Sequence, residues 1–203
     1  PELKELVKAP EKLKKTLLSL IAREKEHAEN GRPCGILAKM NGLVDTDVIA
    51  ALYDASQAGV PIQMVVRGIC CLKPGVPEVS ENIRVISIVG RHLEHARAFR
   101  FENGGSEEVY LSSADWMPRN LLKRVELMFP VKDDEVADEV TNVLRLQLSD
   151  NEKAWQLDAE GLYTRVQAGT RMPVNAQEEL LQDAPGVLQG TRPVAGEFTD
   201  FSM

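Results

Sequence analysis

The chain has 203 residues, 43% of them apolar, with no apolar run near the ~20 residues of a membrane-spanning helix and no apolar core behind its charged start, PELKELVKAPEKLKK. That length buries one full core plus a small appendage and predicts one domain with decorations in a soluble, cytoplasmic protein. The formal net charge of −7 argues against a polyanionic ligand only until it is divided: residues 1–66 carry 9 Lys/Arg and 9 Asp/Glu, residues 67–124 carry 9 and 7, and residues 125–203 carry 6 and 15.

Residues 10–30 predict an amphipathic helix, with Leu13, Leu17, Leu20 and Ile21 at helical spacing, Pro10 in its first turn, and Gly31 then Pro33 to stop it. Residues 34–40 follow as a short, mostly apolar strand. Asp45 can cap a second helix running through Ile49, Leu52 and Ala55 to Gly59, and PIQMVV is another buried strand. A helix between two buried strands implies parallel pairing through a right-handed crossover. Asn41 and Arg67 then emerge at the carboxyl ends of strands, where open α/β sheets bind ligands. A further strand is expected over residues 83–88.

In HARAFRFENGGSEEVYLSSADW, two strand-forming runs flank a Glu-Asn-Gly-Gly-Ser turn and predict an antiparallel hairpin that starts at His95. Alternation sends His95, Arg97, Phe99 and Phe101 to one side, and folding about the glycines brings His95 opposite the Ser112, Ser113, Asp115 end of the returning strand. Residues 123–131 predict a strand with Val125, Leu127 and Phe129 inward and Arg124 and Glu126 on the other side. Residues 133–148 form an acid-capped helix with Val136, Val140, Val143 and Leu144 as its apolar stripe; its charges are a solvated face. Strands near residues 154–157 and 162–166 pair as a hairpin, Asn175 caps a last helix, and residues 184–203 form a Pro/Gly-rich loose tail.

The Arg-rich middle third is where an anion site is sought. His95 stands two residues before Arg97 beside a hydroxyl-rich strand, and phosphate chemistry suits that set. An imidazole exchanges a proton near neutral pH, a guanidinium clamps phosphate oxygens in pairs, and serine hydroxyls bond the remaining oxygens. By itself the set fits a structural His–Ser contact about as well. Arg67, directly after a buried strand, reads equally as a surface arginine. His92 reads as a solvated loop residue, and His27 lies in the last turn of a helix, where a cation suits the dipole. Three cysteines, two of them adjacent, suit small buried hydrophobes in a reduced compartment and neither a disulfide framework nor a zinc site. The phosphate loop of nucleotide-binding proteins, the dinucleotide fingerprint, the HExxH helix and the GxSxG elbow are all missing, and no metal ligand set is read from the chain.

The strings NGLVDTDVIAALYDASQAGV, VVRGICCLKPGVPEVSENIRV, IVGRHLEHARAF, FENGG and YLSSADWMPRN, in that order, resemble polyphosphate kinase of the phospholipase D-like type, over most of the chain from Pro10 to about Gln182. The resemblance implies an α/β fold with a phospholipase D-like mixed sheet flanked by helices on both faces. It divides the chain into a linking helix over residues 1–33, a carboxyl-terminal catalytic domain over residues 34–183, and the tail. Phospholipase D halves carry His-x-Lys, an acidic residue and Gly-Ser-x-Asn. Here Arg97 stands in place of the Lys, Asn103 falls near the acidic position, and Ser112-Ser113-Ala114-Asp115 replaces the last element.

The implied activity is reversible transfer of the terminal phosphoryl of ATP to polyphosphate, through a phosphohistidine upstream of this sequence and with Mg²⁺. By match of position His95 is the second histidine, protonating the leaving oxygen or bracing the phosphoryl. Arg67 binds nucleotide or polyphosphate oxygens, with Arg97 and Ser113 as supports. Glu126 is the candidate for orienting the nucleophilic histidine. Partners implied are ATP, ADP, polyphosphate, the upstream domains of the same enzyme and a second copy in a homo-oligomer, with no specific nucleic acid; the complete enzyme is expected to be cytoplasmic and peripheral to the membrane. A start at Pro1 instead of Met implies a fragment, inactive alone. Two other readings stand beside this one: a polyanion-binding or assembly module, and a phospholipase D-like diesterase pairing two His95 residues across a dimer.

Overall fold

The computed structural model describes residues 5–182, and the expected tail from residue 184 onward lies outside them. A nine-stranded mixed sheet runs through the domain. Its parallel centre is β2 (Ile36–Met40), β3 (Ile62–Val66) and β4 (Ile83–Ile88). Beyond β2 lie β5 (Ala98–Phe101), β6 (Glu108–Ser112), β7 (Glu126–Val131) and β1 (Val7–Ala9), each antiparallel to its neighbour. Beyond β4 lie β8 (Ala154–Leu157) and β9 (Tyr163–Arg165), also antiparallel.

Helices cover both faces, as expected. On one side α1 (Leu13–Glu29) and α2 (Thr46–Gln57) bury Leu13, Leu17, Ile21, Val48 and Leu52 against Ile36, Met40, Ile62 and Met64. On the other, α4 (Asp134–Ser149) buries Leu144 and Leu148 against Leu37, Val65, Ile86 and Ala98. A strand packed on both faces must be apolar almost throughout, which is why β2 and β3 are apolar but for Lys39 and Gln63. The expected caps form: Asp45 accepts from the Val48 N–H at 3.2 Å and Asp133 from the Val136 N–H at 3.1 Å, each satisfying an amide that the first helical turn leaves open. Two short helices complete the described residues, α3 (Pro118–Leu122) and α5 (Ala176–Gln182), the latter capped by Asn175 through the Glu178 N–H at 3.3 Å.

The hairpin turn forms with Gly104 and Gly105 at positive φ, but β5 begins at Ala98, so His95 and Arg97 precede the strand. Two of their segment's carbonyls go to side chains, Lys39 Nζ donating to the Ala96 carbonyl at 3.1 Å and Arg97 Nη1 to the His95 carbonyl at 2.8 Å, while the Arg97 carbonyl still accepts the Ser112 N–H at 3.1 Å. The faces of β7 are the reverse of the expectation. Glu126 and Met128 are buried, while Val125, Leu127 and Phe129 are exposed. Met128 pairs with Ser112 and sits on the α1 side, where the core is deep, and Glu126 goes inward because Ser113 and Asn120 satisfy its carboxylate. On α4 the packed stripe runs through Thr141, Leu144 and Leu148, leaving Val136 exposed. β1, unforeseen, pairs Ala9 with Glu126 and closes the edge beyond β7.

Candidate functional site

The carboxyl end of β2 is flanked on one side by the exit of β3 and on the other by the approach to β5. Val66 pairs with Met40, and the Arg67 N–H donates to the Met40 carbonyl at 3.1 Å, so Arg67 leaves the sheet at this rim. Its neighbour must be glycine: a Cβ on Gly68 would lie 2.7 Å from the Asn41 carbonyl oxygen, while the Gly68 N–H donates to that oxygen at 3.0 Å. The Ser87 hydroxyl holds the Arg67 carbonyl at 2.9 Å. Backbone is thus fixed on three sides while the side chain is left over. Among the described residues no group pairs with the Arg67 guanidinium, and Nη1 is buried without a partner. A buried guanidinium nitrogen in that state is a donor that an anion could satisfy.

Opposite Arg67, Ala98 pairs with Lys39, so residues 95–97 run alongside the same end of β2. The His95 ring is exposed. Arg97 is not free: Nε and Nη2 bond the two Asp115 carboxylate oxygens at 3.2 and 3.0 Å. Asp115, almost fully buried, also accepts from the backbone and side-chain amides of Asn41 at 2.7 and 3.3 Å. Burial alone would raise the Asp115 carboxyl, but the bonds from Arg97 and Asn41 outweigh it and hold it below the ordinary carboxylate range.

Lys39, which the reading of β2 as a mostly apolar strand passed over, lies between the two sides and is only 3% exposed. Burial pulls its ammonium below the ordinary value against the attraction of Glu94, and the charges of Arg67 and Arg97 push in the same direction as burial. That mutual influence puts three cations in one neighbourhood around the rim. A lysine inside an otherwise apolar strand was the available signal, because such a group is buried only with a partner.

Ser113 and Glu126 form a separate pair at the edge of the hairpin. The Ser113 hydroxyl donates to Glu126 Oε2 and accepts from the Leu127 N–H at 3.1 Å, while Asn120 Nδ2 donates to Glu126 Oε1 at 2.7 Å. The Ser113 proton is therefore committed within the protein. His92 is exposed at the rim, and His27, in the last turn of α1 as expected, is buried at 9% exposure against Gly104, with Nε2 3.4 Å from Asn103 Oδ1 and Nδ1 unpartnered. Among the described residues no group of three His, Cys, Asp or Glu side chains gathers to hold a metal, and no helix is long and apolar enough to cross a membrane.

Comparison with known proteins gives a consistent result. Residues 6–177 match the family described as polyphosphate kinase C-terminal domain 2. The polyphosphate kinase of Pseudomonas aeruginosa is 53% identical over 181 residues, covering 89% of this chain and 26% of its own length. That of Synechocystis is 53% identical over 160 residues, covering 79% and 22%. The crystal structure of polyphosphate kinase from Porphyromonas gingivalis superposes with a TM-score of 0.86 at 43% identity, covering 90% of this chain and 28% of that one. A phospholipase D family member, Nuc from Salmonella typhimurium, shares the fold at a TM-score of 0.56 and 13% identity. The chain spans about a quarter of the length of these curated relatives. With its mixed sheet, its two helical layers and a match across residues 6–177, the chain belongs to the polyphosphate kinase family, in the part that forms carboxyl-terminal domain 2.

Proposed function

We propose that this chain supplies one half of an active site that moves the terminal phosphoryl of ATP reversibly to and from polyphosphate, the phosphohistidine being carried by a preceding part of the enzyme. The observation that carries the reading is the partly buried Arg67 guanidinium, unpaired among the described residues, at the same rim as the exposed His95. Phosphoryl transfer asks little covalent chemistry of the protein and much positioning and charge neutralisation. Arg67 supplies the charge, clamping the oxygens of the nucleotide or the polyphosphate chain. His95 faces solvent and is free to turn toward a phosphoryl arriving from outside the chain, giving a proton to the leaving oxygen or bracing the transferred group.

Arg97 acts through its neighbours: tied to Asp115 and to the His95 carbonyl, it holds the backbone from which the imidazole projects. Ser113 and Asn120 orient Glu126, whose oxygens accept one bond each and keep lone pairs for a further donor such as an imidazole N–H. Mg²⁺ is assigned to no residue of this chain. The rim carboxylates Glu94 and Asp115 are each spent on protein donors, so they do not form a ligand set for a divalent cation.

In the complete enzyme, His95→Ala is expected to cut turnover by about 10²–10⁴-fold while the folded fraction, read by thermal unfolding, stays unchanged. An undiminished rate would remove His95 from the site. The 203-residue chain alone is expected to make no polyphosphate from ATP. Robust synthesis by it, or hydrolysis of a chromogenic phosphodiester, would overturn the half-site reading.

A further inference from the structure

His95 sits in a segment, residues 89–97, that has no regular secondary structure and must nevertheless hold in place the backbone on which the imidazole is mounted. The bonds that fix it come from distant parts of the chain. Gln177, on α5 and only 7% exposed, faces the segment. Its Oε1 accepts the His92 N–H at 3.0 Å, and its Nε2 donates to the His92 carbonyl at 2.8 Å and to Glu94 Oε1 at 2.7 Å. The amide side chain thus mimics a strand neighbour, satisfying both backbone groups of a residue that has no ladder partner.

Glu94, adjacent to His95, is gripped from two more elements. Gln147 of α4 donates to its other oxygen, and Lys39 of β2 stands 3.5 Å away while also bonding the Ala96 carbonyl. The helix that carries Gln177 is itself anchored. Asp150, at the end of α4, accepts the Ala176 N–H at 2.9 Å, and Asn151 exchanges side-chain and backbone bonds with Val174 and a side-chain bond with Met172. Gly90 completes the fit. Its φ lies outside the left-handed region, so an alanine is conformationally allowed there, yet a Cβ would fall 2.3 Å from Gln177 Oε1. An alanine at 90 is therefore accommodated only by moving the Gln177 amide away from His92.

We propose that Gln177, borne by α5, is a positioning residue that sets His95 for phosphoryl transfer by clamping His92 and Glu94. The inference rests on the reading of His95 as the acting imidazole. Neither Gln177 nor Gly90 touches the substrate; each acts through the backbone on which the imidazole is mounted. Misplacing a catalytic group by about 1 Å costs up to about 10²-fold in rate, and that loss falls on the chemical step.

Hydrogen exchange on the 203-residue chain and steady-state kinetics on the complete enzyme test this together. Gln177→Ala and Gly90→Ala are each expected to speed exchange of the amides of residues 90–97 and to lower kcat on the order of 10- to 100-fold, with KM for ATP and the unfolding temperature little changed. The double variant is expected to be no worse than the worse single one, since each change breaks the same contact. Unchanged exchange in both single variants, or losses that multiply in the double, would overturn the clamp. The two ideas fail separately. Full activity in His95→Ala sinks the half-site reading, whereas a dead His95→Ala beside a fully active Gln177→Ala sinks the clamp alone.

Discussion

Two arginines leave the sheet on either side of β2, and their surroundings differ. Arg97, two residues from His95, spends its guanidinium on buried Asp115 and on the His95 carbonyl. Arg67, far from His95 in sequence, has its backbone fixed by Met40 and Ser87 and its side chain unpaired among the described residues, with Nη1 buried. Nearness to the histidine in sequence is therefore a poor guide to which arginine keeps its donors unspent. Accounting for hydrogen-bond partners separates them: a guanidinium whose donors are already matched to a carboxylate holds structure, and one left unmatched in a partly desolvated position awaits an anion.

The largest effect that would break or sharpen this contrast is Arg67→Ala in the complete enzyme. It is expected to lower kcat/KM by about 10²–10³-fold, the cost of one preorganised donor to a developing charge, with the unfolding temperature unchanged. Arg67→Lys should restore only part of the rate, since an ammonium lacks the planar fork. Arg97→Ala should reverse the pattern, destabilising the domain by about 1–3 kcal/mol because Asp115 loses its charged partner while buried, and lowering activity less than Arg67→Ala at temperatures where it is folded. Equal losses of activity with no loss of stability in both variants would erase the distinction. Gly68→Ala should come next. Its Cβ meets a backbone oxygen that cannot step aside, so it is expected to cost about 1–2 kcal/mol and to weaken ATP binding by displacing Arg67, which isothermal titration can read against His95→Ala.

Much of this frame was legible from residue order alone. The Asp45 and Asp133 caps, the parallel pairing of β2 and β3 and the Gly104–Gly105 turn follow from local chemistry, and each acts over a few residues. What stayed hidden depends on partners far away in the chain. Beyond Arg97, whose carbonyl still accepts the Ser112 N–H, Lys39 and Arg97 take the Ala96 and His95 carbonyls, and His95 falls short of β5. Alternation in β7 was visible, but its direction was set by what waits inside: Asn120 and Ser113 make a buried Glu126 affordable, and the apolar Leu127 and Phe129 are left outside. Gln177 carried no local signal at all, since a glutamine in an acidic helix looks like solvated surface until the segment beneath it is known. Arg67 was placed at a strand end from sequence, whereas its lack of a partner needed the coordinates.

The smallest effect expected separates the two sides of β2 by pH. Asp115 titrates below its ordinary value of 3.8 in the folded protein. A carboxyl depressed in this way stabilises the fold above the unfolded-state value, and that contribution is lost as pH falls through the lower folded-state value. Arg97 then becomes as unpaired as Arg67, and the segment carrying His95 loses its tie to Asp115. Asp115→Asn removes the titration while keeping the shape. The stability gap between the parent chain and this variant, measured by urea unfolding, should therefore be constant from neutral pH down to about pH 5 and then narrow steadily as the acid range is entered. A gap that is independent of pH throughout would mean that Asp115 does not hold Arg97 by charge, and the contrast between the two arginines would rest on geometry alone.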